Sequence, residues 1–270
     1  LNAFHFITYP LVARYSITQR LNVYQQLNAG IRYLDIRIAL RPEDNQFYIC
    51  HNFYGPKLEE ILKQMRAYVK QNPTEIIIVD IQHVHNFKSI EDHQRLFEMI
   101  SQYLRDHIIS TAVFFNEPPI SLQSLWSTGN QLLVFYRHPF QEMFSSLLWP
   151  SSQLPNPWAN TRNSAKLNLF LKNSILSRPE RKLFVTQGVL TPNSSYAIRN
   201  FFGSLETKLT QPANTLLYKL IVKDRCGCKN KNELSFGPNI VMFDFVDWNE
   251  YELLNSIVGL NRVLFDFCQV

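Results

Sequence analysis

Two hydrophobic periods take turns along this chain. Segment 56–71 sets Leu58, Ile61, Leu62, Met65, Tyr68 and Val69 on one face, with Lys and Glu opposite, which predicts an amphipathic helix. Segment 21–29 carries Leu21, Tyr24, Gln25, Leu27 and Asn28 at helical spacing, with Ser16 or Thr18 as its cap and Gly30 to stop it. Further helices are expected at 90–109, 163–177, 195–209, 212–223 and 250–262. Between them lie runs of the other kind. Segments 75–81 and 132–136 are apolar without a break at strand length, the pattern of strands covered on both faces. Segments 183–187 and 240–245 read as further strands. Residues 31–38 alternate instead: Ile31, Tyr33, Asp35 and Arg37 take one face, and Arg32, Leu34, Ile36 and Ile38 the other. A turn at 41–45 leads into a second short strand, 47–51, which ends in a histidine.

Strand followed by helix, repeated, implies a parallel sheet covered by helices. Six strand segments in 270 residues favour a closed barrel over an open sheet. The expected fold is therefore α/β: one domain, 1–270, built as a TIM-like (β/α) barrel. Chemistry in such barrels lies at the C-terminal ends of the strands. Arg37, His51, Gln82, Arg137, Gln187 and Asp244 all fall at or near such ends. No Gly-x-Gly-x-x-Gly or Walker loop occurs, which counts against a nucleotide fold.

Asp35 and Arg37 put a carboxylate and a guanidinium two residues apart on one face. Burying such charges is costly unless they are paired or used. Read functionally, the cation holds a phosphate, His51 carries a proton near neutral pH and the carboxylate orients them. Read structurally, the two are an ion pair and His51 is a packed side chain. Asp244, in the apolar run Val241-Met242-Phe243-Asp244-Phe245, needs a histidine or arginine partner. A metal centre is poorly supported: alternation sets Asp80 beside Gln82 and turns His83 and His85 to the opposite face. No Gly-x-Ser-x-Gly elbow supports a serine hydrolase. The basic residues Lys223, Arg225, Lys229 and Lys231 are too few for nucleic-acid binding.

Composition adds little. A formal charge of +5 and 27 Lys+Arg against 22 Asp+Glu mildly favour anionic partners. No apolar run reaches the roughly 18–20 residues of a membrane span. Cys50 reads as a packing residue, Cys226 and Cys228 are too close for a zinc knuckle, and the four cysteines leave the compartment open between cytoplasmic and secreted. His5, between two phenylalanines, reads as a packed or surface residue. Asn193-Ser194-Ser195 is the single glycosylation sequon. The loop 139–162, with Trp149 and Trp158, is either membrane-wetting or a packed cover.

Gly30-Ile31-Arg32-Tyr33-Leu34-Asp35-Ile36-Arg37, Tyr48-Ile49-Cys50-His51 and Pro73-Thr74-Glu75-Ile76-Ile77-Ile78-Val79-Asp80-Ile81 together resemble the X domain of phosphatidylinositol-specific phospholipase C. Trp149-Pro150, Pro157-Trp158-Ala159-Asn160-Thr161 and Leu190-Thr191-Pro192 resemble its X-domain-only animal members, so the similarity spans nearly the whole chain. The resemblance implies an incomplete TIM barrel that cleaves a phosphodiester with two histidines, one the base for the inositol 2-hydroxyl and one the acid for the glycerol oxygen. His51 matches the second histidine and Asp35 the carboxylate beside it. Arg37 matches the arginine that holds the phosphate in metal-independent relatives, which implies a calcium-independent site with no cofactor. Asp244 matches the carboxylate that orients the first histidine, and Gln82 and Arg137 fall near substrate-binding positions. Gly188 stands near an inositol-binding acid of the family.

The family's first histidine belongs to a strand reading roughly Ile-Pro-Gly-Thr-His-Asp-Ser, which does not occur here. The expectation is a chain without the first barrel strand, either because it continues upstream of Leu1 or because the attacking base is lost. The implied partner is a phospholipid or inositol phosphate substrate, with a peripheral membrane surface and no nucleic acid. The alternative is a barrel that binds phosphoinositide or membrane without turnover. A glycerophosphodiesterase is the third reading, lowered by the lack of a carboxylate metal cluster.

Overall fold

A glycine decides where the chain first turns into a sheet. Helix α1, Val23–Ala29, ends at Gly30, whose φ of 111° only glycine adopts without strain. Its cap is Asn22, in a capping box with Gln25, rather than Ser16 or Thr18. Ser16 belongs to an earlier helical turn, its hydroxyl donating to the Val12 carbonyl at 2.7 Å. The computed structural model describes residues 10, 12–111, 121–179, 182–223 and 238–268. They fall into two compact units, Asn22–Leu154, and Leu1–Leu21 with Pro155–Val270. His5, Cys226, Cys228 and the lysines at 229 and 231 lie outside the described residues.

The first unit holds a five-stranded sheet in the order β3-β2-β1-β4-β5. Its strands are β1 (Tyr33–Arg41), β2 (Gln46–His51), β3 (Phe53–Lys57), β4 (Ile77–His85) and β5 (Leu132–Tyr136). β1, β4 and β5 run parallel, while β1–β2 and β2–β3 are antiparallel. Strict alternation of strand and helix therefore fails at 41–57. The turns there are too short for a parallel crossover, so neighbouring strands must reverse. Asn52 makes the second reversal with φ of 63°, a conformation that Asn tolerates. β3 was not expected, because Pro56 was read as the start of the helix 56–71; as an edge strand β3 accommodates both Gly55 and Pro56.

Alternation along β1 is as read. Leu34, Ile36 and Ile38 are buried, while Tyr33, Asp35 and Arg37 are half-buried on the other face. The apolar face meets α2 (Leu58–Gln71) through Leu58, Ile61, Leu62 and Met65, and α3 (Ile90–Leu104) through Leu96, Ile100 and Leu104. α3 gives way to a 3-10 turn at Arg105–His107, short of the expected 109. A short helix α4, Leu122–Trp126, precedes β5.

In the second unit β6 (Val185–Gln187) and β7 (Ile240–Met242) pair in parallel. The helices are α5 (Ser164–Leu176), α6 (Ser194–Arg199), α7 (Gln211–Leu217) and α8 (Trp248–Cys268). The break expected near Pro212 is absent. Thr210 and Gln211 keep helical backbone, so the helix runs on through Pro212, which directly follows the π-helical segment Glu206–Thr210. Among the described residues the strands form two sheets rather than one closed ring. No described helix is long and apolar enough to cross a membrane.

Gly188, just past β6, is held to glycine by packing. A Cβ there would overlap the side chain of Leu217, which is fully buried on α7. Gly188→Ala is expected to destabilise the protein by about 1–3 kcal/mol through overpacking. Urea denaturation checks this, and adding Leu217→Ala should recover no stability if the clash is not the cause.

Candidate functional site

The polar face of the first sheet is built around one carboxylate. Asp80, on β4, has no solvent exposure. Its Oδ1 accepts from Arg137 Nε at 2.9 Å, and its Oδ2 accepts from Arg137 Nη2 at 2.8 Å, a two-pronged pair. Oδ2 also accepts from the Tyr33 hydroxyl at 2.9 Å and from Gln82 Nε2 at 2.8 Å. Arg137 Nη2 donates in addition to the Leu154 carbonyl at 2.7 Å. A buried ion is tolerable only when paired and hydrogen-bonded, and Asp80 meets both conditions. Burial, with Asp80 and Asp35 nearby, holds the Tyr33 phenol well above its usual value.

A bulge then changes what faces what. β1 and β4 pair as Asp35↔Asp80 and Ile36↔Ile81, but the next partners are Arg37↔His83 and Ala39↔His85. Gln82 is the extra residue. Paired residues share a face, so His83 and His85 join Asp35, Arg37 and Asp80. This corrects the alternation argument, which set both histidines on the opposite side. The two rings lie 6.3 Å apart. Burial first, then the positive charges of Arg37, His85 and Arg137, hold the His83 imidazole below its usual value. Cys50 is a free thiol near enough to Arg37 to feel its charge, and burial raises its pKa.

Asp35 stands beside Asp80 on this face, with Arg37 Nε 3.7 Å from its Oδ1. Burial raises its carboxyl from 3.8 to about 6, and Asp80 adds to the rise against the pull of Arg37 and Arg137. Arg37 keeps 40% of its side chain exposed, whereas Arg137 keeps 19%. The two arginines therefore differ. Arg137 is committed to Asp80, and Arg37 is the more accessible cation of the pair.

His51 is half-buried at the end of β2. The β1–β2 ladder stops at Ile38↔Ile49, so His51 stands two residues past the last rung. Gln82 and Arg137 come together on Asp80. Asp244 belongs to the second unit, two residues beyond the end of β7, which is shorter than the expected 240–245. The strand ends because Phe245 takes a φ of 50°, left-handed backbone that a bulky side chain enters only at a cost. A strap from 18–20 holds this turn. Phe245 N–H donates to the Thr18 carbonyl at 2.7 Å, and Gln19 bonds both the Phe243 carbonyl and the Val246 N–H. Arg20 lies over the Phe245 ring at 5.2 Å and pairs with Asp247 at 2.8 Å. Asn214 donates to the Asp244 carbonyl at 3.1 Å.

Sequence reasoning missed three things here. It passed over Asp80 as a hub, although a lone carboxylate in a continuous apolar strand was the signal. It missed the strap, for which a polar Thr-Gln-Arg run carries no local signal. It missed the bulge, which only the pairing reveals. In the loop 139–162, Trp149 is 3% exposed and donates to the Ile109 carbonyl, so that tryptophan is a packed cover. Trp158 is half-exposed and donates to Thr191 Oγ1 at 3.1 Å. Among the described residues no three His, Cys, Asp or Glu side chains gather as metal ligands.

Two variants test this electrostatic description. Arg137→Met leaves Asp80 buried without its ion, and is expected to cost about 3–5 kcal/mol; Asp80→Asn in the same chain should restore much of it. Asp35 is protonated more readily folded than unfolded, so its ionisation opposes folding as pH rises from about 4 through about 6. Asp35→Asn should therefore stabilise the protein at pH 7.5, by up to about 3 kcal/mol, with the gain gone near pH 4. Denaturant titrations at the two pH values measure it.

The polar face of parallel strands, with Asp35 and Arg37 two residues apart, can now be set beside known proteins. The X domain of phosphatidylinositol-specific phospholipase C matches residues 8–138. The chain is 31% identical to PI-PLC X domain-containing protein 3 of Danio rerio, over 98% of this chain and 79% of that one. It is 32% identical to PI-PLC X domain-containing protein 2 of Mus musculus, over 95% and 72%. Among solved structures, phosphatidylinositol-specific phospholipase C from Listeria monocytogenes aligns with a TM-score of 0.64 at 19% identity, covering 94% of this chain and 86% of that one. A variant of the Staphylococcus aureus enzyme aligns with a TM-score of 0.66 at 15% identity, covering 92% and 87%. The fold is that of these irregular TIM barrels. Identity of this extent across nearly the whole chain makes the chain a member of the PI-PLC X domain-containing protein family.

Proposed function

We propose that this chain cleaves the phosphodiester of phosphatidylinositol-type lipids by acid–base catalysis, with Arg37 as the phosphate-binding cation and without calcium. We read both compact units as parts of one X-like domain. The observation that carries the proposal is the division of labour between two arginines on one face. Arg137 neutralises Asp80, and Arg37 stays exposed beside Asp35, 3.7 Å away. A fixed guanidinium at that place stabilises charge on a transferring phosphoryl group and makes a divalent cation there redundant.

The steps follow from the residue types. The inositol 2-hydroxyl attacks phosphorus and the bond to the glycerol oxygen breaks. His51 gives its proton to that oxygen, releasing diacylglycerol and a cyclic inositol phosphate. Asp35, with a carboxyl near 6, can exchange a proton close to neutral pH. Asp244 orients the base that takes the hydroxyl proton, and we assign no described residue to that base. Gln82 fixes Asp80. Arg137 has its Nε and Nη2 committed, which leaves Nη1 as the nitrogen to meet a ring hydroxyl.

The test is release of cyclic inositol phosphate from phosphatidylinositol vesicles in excess chelator. The expected result is turnover that chelation does not lower, and that His51→Ala reduces by roughly 10²–10⁴. Arg37→Met should lower it comparably, with little change in stability, since Arg37 is half-exposed. Lipid binding that depends on Arg37 with no product would instead establish the alternative, a phosphoinositide-binding barrel without turnover.

A further inference from the structure

Several large apolar side chains of the second unit are exposed, among them Trp158, Leu169, Leu176 and Val258, and three more stand within five residues of one another. Ile198 is 65% exposed, Phe201 36% and Phe202 94%. Phe202 is the most exposed large apolar residue described. The three sit at the end of α6 and in the turn after it. This turn is not a loose end. The Tyr15 hydroxyl donates to the Asn200 carbonyl at 3.0 Å, and Gly203 N–H donates to the same carbonyl at 2.8 Å. Asn200 Nδ2 donates to the Tyr196 carbonyl at 2.9 Å. The two phenyl rings meet edge to face at 5.4 Å. Phe202 is thus held out in water by a bonded turn, with Phe201 partly exposed against it, where burial would be favourable.

Charge says what they face. From Gly188 to Leu205 the sequence has no Asp or Glu. Arg199 and Lys208 are exposed, and the Lys208 stem runs over Gly203. The Arg14 guanidinium lies 5.6 Å from the Phe201 ring centre. Glu206, the first acid after the turn, is ion-paired with Arg20. An apolar tip ringed by cations suits the boundary between anionic headgroups and acyl chains, where aromatic rings enter and basic side chains stay at headgroup level. Two copies meeting through this patch would oppose like charges.

We propose that the 198–202 tip docks this chain on an anionic phospholipid surface. The inference deepens the lipid-directed function above and rests on it for the choice of partner. Wild type and Phe201→Ser/Phe202→Ser protein would be sedimented with phosphatidylcholine vesicles, with and without phosphatidylserine. Wild type should bind the anionic vesicles more than the neutral ones, and less as salt is raised. The double variant should lose roughly tenfold or more of that partition, with an unchanged thermal midpoint because both side chains are at the surface. Arg14→Gln/Arg199→Gln should remove the preference for anionic vesicles. Equal binding by wild type and the phenylalanine variant, or no binding by wild type, overturns the proposal. So does a variant that changes only self-association in sedimentation velocity.

Release of cyclic inositol phosphate from a short-chain, monomeric phosphatidylinositol, which needs no vesicle, separates the two ideas. Equal turnover by both proteins with unaltered vesicle binding sinks the docking surface and leaves the chemistry. Vesicle binding lost in the variant, with no turnover by either protein, supports docking while the proposed chemistry fails.

Discussion

The Asp80 carboxylate sets the terms for the face on which the proposed chemistry lies. It lies in a parallel strand with helices behind it, where water cannot reach. An uncompensated ion there would cost several kcal/mol, so the fold must bring a cation. Arg137 comes from the end of the next strand, and Tyr33 from the strand on the other side. One carboxylate thereby ties three adjacent strands together at one level. That tie has an electrical consequence. With Arg137 committed, the field at the rim depends on Arg37, and Asp35 is left between burial and a cation at 3.7 Å.

The bulge at Gln82 gives the same face its second feature. Without it, β4 would continue with Gln82 opposite Arg37 and turn His83 away. With it, Gln82 reaches back to Asp80 and His83 stands opposite Arg37. A single inserted residue thus gathers a carboxyl raised to about 6, a guanidinium and a lowered imidazole on neighbouring strands. Bulges recur where a sheet must re-aim a side chain, and this one lies at the end where a barrel keeps its chemistry.

What was legible in the sequence follows from how local each cause is. β5 was read to the residue, since Leu132 to Tyr136 is an apolar run with no competing signal. The apolar face of α2 was read in full, because helical period is a local property. The Asp35–Arg37 face was read from alternation alone. β3 was not, because an edge strand needs a neighbour more than it needs propensity. Asp244 was placed inside a strand, yet the strand stops two residues earlier. The cause is the strap from Thr18, Gln19 and Arg20, more than 200 residues away in sequence. No window of the sequence contains that contact.

Gly188 carries the same lesson inside the second unit. A missing acid at that position invites a functional explanation, as weakened grip on an inositol ring. The packing gives a prior one. Leu217 fills the space that any side chain at 188 would need, so the position is closed to an acid before substrate is considered. Gly188 and Leu217 share one volume, so neither can change size alone.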